Sequence, residues 1–126
     1  MHKKIVTTSA APAPIGPYSQ GVIAGGLLFV SGQTPLDPQS GELVQGSIEV
    51  QTERVLENLM AVLREAKLGA ENVVKTTLFL ADMADFAKVN AVYGRYFPKE
   101  PPARSTFQVA GLPKNARIEI ELVAAF

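Results

Sequence analysis

Two segments near the end of the chain carry charged side chains at a spacing that could support chemistry. Residues 104–109 and 117–123 alternate polar and apolar side chains, the pattern of strands with one buried face. The apolar sides are predicted to join one core, and they comprise Ser105, Phe107 and Val109, with Ile118, Ile120 and Leu122. The opposite sides carry Arg104, Thr106 and Gln108, with Arg117, Glu119 and Glu121. If the strands pair with their apolar sides aligned, Thr106 lies across from Glu119, and Arg104 lies across from Glu121.

This polar strand face has two interpretations. It is either a solvated surface with ion pairs between the strands, or a site that needs a fixed cation and a fixed carboxylate. An arginine offers a planar fork for a substrate carboxylate or phosphate. A glutamate offers a base or a proton relay. The periodicity does not separate the two interpretations.

A second anomaly is Asn90, which shares one predicted helix face with Phe86, Tyr93 and Phe97. A polar amide on an apolar stripe must find hydrogen-bond partners, because leaving it unpaired costs stability. Its partner is either nearby backbone or a ligand. Two glycine-flanked polar segments at strand ends, 18–20 and 31–33, are weaker candidates, since most such segments are only turns.

Composition limits the chemistry further. The chain has no cysteine, and its one histidine, His2, lies near the N-terminus, so zinc sites and Ser–His or Cys–His catalysis are disfavoured. Proton transfer must then use carboxylates, tyrosines, hydroxyls or water, and we expect no metal and no cofactor. Twelve Lys and Arg balance twelve Asp and Glu, so no net charge draws the chain to nucleic acid or to an anionic membrane. No targeting signal is visible, and we expect a cytoplasmic protein.

The elements that position these residues follow from local signals, and 126 residues are expected to form one domain, 1–126. Residues 21–24 and 27–31 predict a hairpin around Gly25-Gly26. Ser47 is expected to cap a helix that ends near Gly69. Residues 73–80 predict a strand, and Asp82 is expected to cap a second helix through about Phe97. The order indicates an α+β fold, a mixed sheet with two helices on one face.

Three segments, IGPYSQGV (15–22), LLFVSGQTPLDPQSGELV (27–44) and PPARSTFQVAGLPKNARIEIELVA (101–124), together resemble the RidA family, also called the YjgF/YER057c/UK114 family. The resemblance covers nearly the whole chain. It implies a chorismate-mutase-like (Bacillus type) α+β subunit. It also implies a barrel-like homotrimer with a ligand cleft at each subunit interface.

The resemblance also implies an activity, the hydrolysis of reactive imines and their enamine tautomers to 2-oxo acids and ammonia. Pyridoxal-phosphate dehydratases release such species (2-aminoacrylate and 2-aminocrotonate) from serine and threonine, and their removal protects pyridoxal-phosphate enzymes. The remaining alternatives are a regulatory protein that binds a small carboxylate without turnover, and a ribonuclease or translation inhibitor. Zero net charge disfavours the last of these.

By likeness, Arg104 matches the arginine that holds the substrate carboxylate, and Glu119 matches the glutamate that positions the attacking water. The residues that match the lining of the cleft are Tyr18, Ser31, Gly32 and Asn90. Thr106 stands where several relatives carry cysteine, and is expected to contact substrate without a thiol. We expect Arg104, Thr106 and Glu119 on one wall of the cleft, facing a neighbouring subunit that supplies Tyr18, Ser31 and Asn90.

Overall fold

The computed structural model describes residues 2–126 and confirms a mixed sheet with two helices. The six strands lie in the order β1-β2-β3-β6-β4-β5. The strands are β1 (Lys4–Val6), β2 (Gly21–Ala24), β3 (Leu27–Gln33), β4 (Val73–Leu80), β5 (Ala103–Gln108) and β6 (Ile118–Ala125). The helices are α1 (Ile48–Glu65) and α2 (Phe86–Tyr96). Helix α1 packs against α2, β3 and β6, so one sheet face covers the core and the other, here called the open face, lacks a helix.

Helix α1 begins where the sequence predicts. The Ser47 side chain accepts a hydrogen bond from the Val50 backbone nitrogen at 3.2 Å, which satisfies one of the free donors of the first turn. The apolar stripe of the helix is buried, and residues such as Val55, Leu59 and Val62 have no exposed surface. Asp82 likewise accepts from the Ala84 nitrogen, although it caps a short 3-10 turn that precedes α2.

The end of α1 differs from the prediction. Lys67, not Gly69, adopts the left-handed conformation that closes the helix, with a φ of 65°, whereas Gly69 is extended with a φ of −139°. The Leu68 nitrogen donates to the Leu63 carbonyl and the Lys67 nitrogen to the Arg64 carbonyl, which is the Schellman arrangement. Leu68 packs against the core, and this apolar contact accompanies a helix end in which the left-handed residue is Lys67, two residues before the glycine.

The predicted pairing of β5 with β6 is wrong. Strand β4 lies between them, parallel to β5 and antiparallel to β6. Parallel neighbours need a crossover connection, and α2 supplies it between β4 and β5. Residues 109–117 then carry the chain past β4, so that β6 enters the sheet between β3 and β4.

This topology also divides the predicted polar strand face. Arg104 and Thr106 are in register with Thr76 and Leu78, whose side chains lie on the helix-covered face. The open face instead carries Ser105 and Phe107 from β5, with Glu119 and Glu121 from β6. Phe107, expected in the core, is 53% exposed and stacks on Phe79. The alternation in β5 was assigned to the wrong faces, because α2 covers its polar side.

No helix within residues 2–126 is both long and apolar enough to cross a membrane. The cytoplasmic location stays a prediction.

We expect Lys67→Gly to raise the free energy of unfolding by about 0.5–1 kcal/mol, because glycine adopts the left-handed conformation without a Cβ penalty. Lys88→Gly, at an exposed position inside α2, is the control, and it should lower the same free energy by about 1 kcal/mol. Urea unfolding at one fixed protein concentration measures both. A loss of stability in Lys67→Gly would contradict this description of the helix end.

Candidate active site

A bulge in β3 shapes the first part of the candidate site. Val30 pairs with Leu122 and Gln33 pairs with Ile120, so β3 contains one more residue than β6 between these two pairs. The extra length falls at Ser31-Gly32. Bulges redirect side chains and occur often beside active sites, and this one opens the sheet next to Glu119.

The carboxylate of Glu119 lies directly against Gly32. A Cβ atom added to Gly32 would overlap with Glu119 Oε2 and lie 2.8 Å from its Cδ. The glycine therefore provides the space in which the carboxylate is seated. Burial raises the pKa of Glu119 from its ordinary value, and the nearby negative charge of Glu121 raises it further.

Glu119 opens into a cavity of about 400 Å³, here called the Glu119 cavity. The predicted residues that line it are Tyr18, Ser31, Gly32 and Glu119, and further lining comes from Pro12, Ala13, Ile15, Gln33, Thr34, Leu36, Pro113 and Glu121. The Ser31 hydroxyl donates to the Ser19 carbonyl, and the Tyr18 hydroxyl accepts from the Ile15 nitrogen at 3.3 Å. The cavity thus combines two carboxylates and three hydroxyl-bearing residues with an apolar wall that comprises Pro12, Ala13 and Ile15.

Arg104 lies in a second cavity, of about 410 Å³, here called the Arg104 cavity. Its guanidinium donates from Nη1 to Asn90 Oδ1 at 2.8 Å. The guanidinium carbon is 4.9 Å from the centre of the Tyr93 ring and 5.5 Å from that of Phe86, a cation–π arrangement. Within residues 2–126 the guanidinium has no carboxylate partner, so its remaining donors are available to an anion.

The partner of Asn90 in this chain is therefore the side chain of Arg104 rather than nearby backbone. The amide oxygen orients Arg104 while the aromatic rings of α2 support the guanidinium from its faces. Tyr93 is itself fixed by a 2.7 Å hydrogen bond between its hydroxyl and that of Thr76. Burial raises the pKa of Tyr93, which keeps it a neutral donor or acceptor.

The expected grouping of the site residues is wrong within one chain. Asn90 accompanies Arg104, whereas Glu119 accompanies Tyr18, Ser31 and Gly32. The expected contacts of Arg104 and Thr106 with the two glutamates do not form, because the two pairs of residues occupy opposite faces of the sheet.

Thr106 lines neither the Glu119 cavity nor the Arg104 cavity. Its hydroxyl oxygen is buried without a hydrogen-bond partner in the part of the chain that the structure describes. Arg117 donates from Nη2 to both carboxylate oxygens of Asp85, each at 3.1 Å, and does not join the glutamates. Over residues 2–126, no three metal-binding side chains come together.

Sequence reasoning did not assign Glu121 to the site. It was expected as an ion-pair partner of Arg104, but it lines the Glu119 cavity and raises the pKa of Glu119. The available signal was its spacing, since residues two apart in a strand share a face. The roles of Phe86 and Tyr93 beside Arg104 were missed as well, because no sequence pattern shows which strand α2 covers.

The family model described as endoribonuclease L-PSP matches residues 8–126. The chain belongs to this family, which confirms the resemblance. It is 48% identical over 122 residues to the 2-iminobutanoate/2-iminopropanoate deaminase of Mus musculus, covering 97% of this chain and 90% of the relative. It is 52% identical to the chloroplastic Reactive Intermediate Deaminase A of Arabidopsis thaliana, covering 97% of this chain and 65% of the relative.

Among solved structures, the chain is similar to E. coli TdcF with bound serine. The TM-score is 0.93, the sequence identity is 42%, and 98% of each chain is covered.

We expect Gly32→Ala to push the Glu119 carboxylate out of its seat, since the new Cβ would overlap with it. The pKa of Glu119 should then fall toward the ordinary carboxylate value, because the group returns to water. Titration of the Glu119 carboxyl by carbon-13 NMR measures this. In the control, Gly111→Ala, the added Cβ meets no described atom within 4 Å, and the pKa of Glu119 should not change. An unchanged pKa in Gly32→Ala would show that Gly32 does not hold the carboxylate.

Proposed function

We propose that this protein hydrolyses 2-imino acids to 2-oxo acids and ammonia. The observation that carries the proposal is the carboxylate of Glu119, half-buried in a cavity and with no cation beside it among residues 2–126. Two relatives that are about half identical to this chain bear the names of reactive-intermediate and imine deaminases. A carboxylate with a raised pKa and a free arginine are the two groups that such a hydrolysis needs.

Each group has one role in the reaction. Arg104 binds the substrate carboxylate through its planar fork, oriented by Asn90. A water molecule attacks the carbon of the C=N bond, and Glu119 accepts the proton that the water loses. Glu119 returns this proton to the nitrogen of the resulting carbinolamine. The C–N bond then breaks as the C=O bond forms, and the hydroxyl proton passes to the departing ammonia. One iminium acid and one water thus give one 2-oxo acid and one ammonium ion.

The raised pKa of Glu119 supports its role as a base. A base is most effective when its pKa lies close to the operating pH, and burial moves the pKa of this carboxyl in that direction. Imines already react with water without a catalyst, so a modest acceleration suffices. A single general base supplies about 10²–10⁴-fold, and the reaction requires no nucleophilic side chain at Thr106.

The complete site requires a second copy of the chain. Arg104 lies on the helix-covered face of the sheet and Glu119 on the open face, so one small substrate cannot contact both within one subunit. The open face also exposes large apolar side chains, with Phe29 at 44% and Phe107 at 53%, which is typical of an interaction surface. We therefore propose a homotrimer in which the Glu119 cavity of one subunit faces the Arg104 cavity of the next.

The ribonuclease named in the family description is not favoured by this site. The chain has no net charge, and the Glu119 cavity carries two carboxylates, Glu119 and Glu121, that repel phosphate groups. A protein that binds a 2-oxo acid without turnover is the second candidate, because binding needs Arg104 but no base.

Glu119→Gln separates the enzyme from the binding protein. Glutamine preserves the size of the side chain but cannot accept the proton of water, so we expect turnover to fall by about 10²–10⁴-fold. The affinity for pyruvate should stay within about threefold, because Arg104 still binds the carboxylate. A dehydratase that generates the imine from serine, coupled to detection of the 2-oxo acid, measures turnover.

The control for this experiment is Glu65→Gln, an exposed glutamate at the end of α1, far from both cavities in the fold. It should retain full turnover. If the wild-type protein binds pyruvate but does not accelerate imine hydrolysis, its function is binding without turnover. Unchanged turnover in Glu119→Gln would show that another group activates the water.

Mixed oligomers test the assembly of the site from two subunits. The variants Arg104→Ala and Glu119→Gln are each expected to be inactive. When the two are unfolded and refolded together, the mixture should regain about one quarter of wild-type activity. Random assembly places an intact Arg104 beside an intact Glu119 at that fraction of interfaces. Mass spectrometry with one tagged subunit verifies that mixed oligomers form.

The control mixture combines Arg104→Ala with Asn90→Ala. These two residues are hydrogen-bonded to each other and belong to the same cavity. Every subunit of this mixture lacks either Asn90 or Arg104, so no interface contains an intact Arg104 cavity. Activity should stay at the parental level. Equal recovery in both mixtures, or recovery in neither, would contradict the proposed assembly.

A further inference from the structure

Gln20 is a buried polar residue that the proposed reaction does not use. Only 2% of it is exposed, and its amide forms hydrogen bonds on both ends. The side-chain oxygen accepts from the Thr8 nitrogen at 2.7 Å. The side-chain nitrogen donates to the Thr8 carbonyl at 3.0 Å and to the Pro12 carbonyl at 2.9 Å, with the Ala11 carbonyl at 3.4 Å. All four of these hydrogen bonds join the amide to one segment, residues 8–12.

Besides these hydrogen bonds, the segment is held by packing, since Ala11 belongs to the hydrophobic core and Pro12 is buried. Residues 8–17 form no helix or strand, and the prolines at 12, 14 and 17 lack the N–H that a ladder would need. Among residues 2–126, the hydrogen bonds that connect residues 8–12 to the rest of the chain all come from the Gln20 side chain. The hydrogen bonding of the segment to the rest of the described chain thus depends on one amide.

The same segment leads into the apolar wall of the Glu119 cavity, which comprises Pro12, Ala13 and Ile15. On the other side, the Gln20 backbone carbonyl accepts from the Ser31 nitrogen at 2.9 Å. Ser31 precedes Gly32, which seats the Glu119 carboxylate. Gln20 therefore connects residues 8–12, through its side chain, to Ser31, through its backbone carbonyl.

We propose that Gln20 is a positioning residue that sets the width of the Glu119 cavity, and thereby selects the side chain of the imino acid. This inference rests on the proposed function. A substrate held near Glu119 by its reacting carbon must place its remaining apolar group against the wall of residues 12–15. Discrimination between apolar side chains depends on how well they fit such a wall. One methylene changes the ratio of kcat/KM values between two substrates by about 10–200-fold.

Gln20→Met tests this inference, because methionine fills a similar volume but makes none of the four contacts. We compare kcat/KM for 2-iminopropanoate with kcat/KM for the bulkier imine that an amino-acid oxidase forms from leucine. The ratio of the bulky to the small substrate should rise by at least about fivefold. For 2-iminopropanoate the KM should rise more than kcat falls, since Glu119 and Arg104 are untouched.

The matched control is Gln51→Met. Gln51 is also a buried glutamine, 5% exposed, with one bond from its side chain to the Val44 carbonyl, and it lines neither cavity. It should leave the substrate ratio unchanged. A general loss of stability lowers kcat/KM for both imines by the same factor, so it does not imitate the expected change in ratio.

If Gln20→Met does not fold, the same ratio of kcat/KM values is measured for Gln20→Asn. Asparagine retains the amide but is one methylene too short to reach residues 8–12 without moving them, and the ratio should shift in the same direction. An unchanged ratio in the folded variant, with an active wild type, overturns the role of Gln20 and leaves the proposed function intact. A wild-type protein inactive on both imines contradicts the proposed function itself.

Discussion

The position of β6 between β3 and β4 is the constraint on which the rest of the structure depends. The strand is hydrogen-bonded along both edges and buries Ile118, Ile120 and Leu122 under the helices. Each such side chain stabilises the fold by about 1.5–3 kcal/mol. A slip of one residue would exchange these side chains with Glu119 and Glu121. The hydrophobic core therefore determines, indirectly, that both carboxylates lie on the open face.

The same topology keeps the cation and the base apart. An arginine paired with a glutamate in one chain would lower the pKa of the carboxyl and use the donors of the guanidinium. Here Arg104 is held on the opposite face by Asn90 and two aromatic rings. The pKa of Glu119 is consequently raised rather than lowered. In the single chain the arginine has no carboxylate partner and the glutamate has no cation beside it among residues 2–126. This arrangement is consistent with a site that forms between two copies.

The two cavities are held by different kinds of interaction. The Arg104 cavity depends on side chains of α2 that support a charge from its edge and its faces. The Glu119 cavity depends mainly on backbone, through the bulge at Ser31-Gly32 and the irregular segment that Gln20 fixes. Substitutions in the two cavities should therefore have different effects. Those in the Arg104 cavity should affect the binding of an anion, and those in the Glu119 cavity should affect the position of the carboxylate and the shape of the space around it.

The sequence alone was sufficient for the local elements and for the kind of chemistry. The Ser47 cap, the β-branched run 73–80 and the hairpin at Gly25-Gly26 depend on residues near one another in the chain, and the structure has all three. A chain without cysteine, and with its one histidine at the N-terminal end, left arginine and glutamate as the main candidates.

Only the tertiary structure decided which faces Arg104 and Glu119 occupy. Alternation places side chains on two sides of a strand but does not say which neighbour the strand takes, and that choice depends on packing between distant segments. For the same reason, the contacts of Gly32 with Glu119, Asn90 with Arg104, and Gln20 with residues 8–12 could not be read from spacing, since each joins parts of the chain that meet only after the sheet has formed.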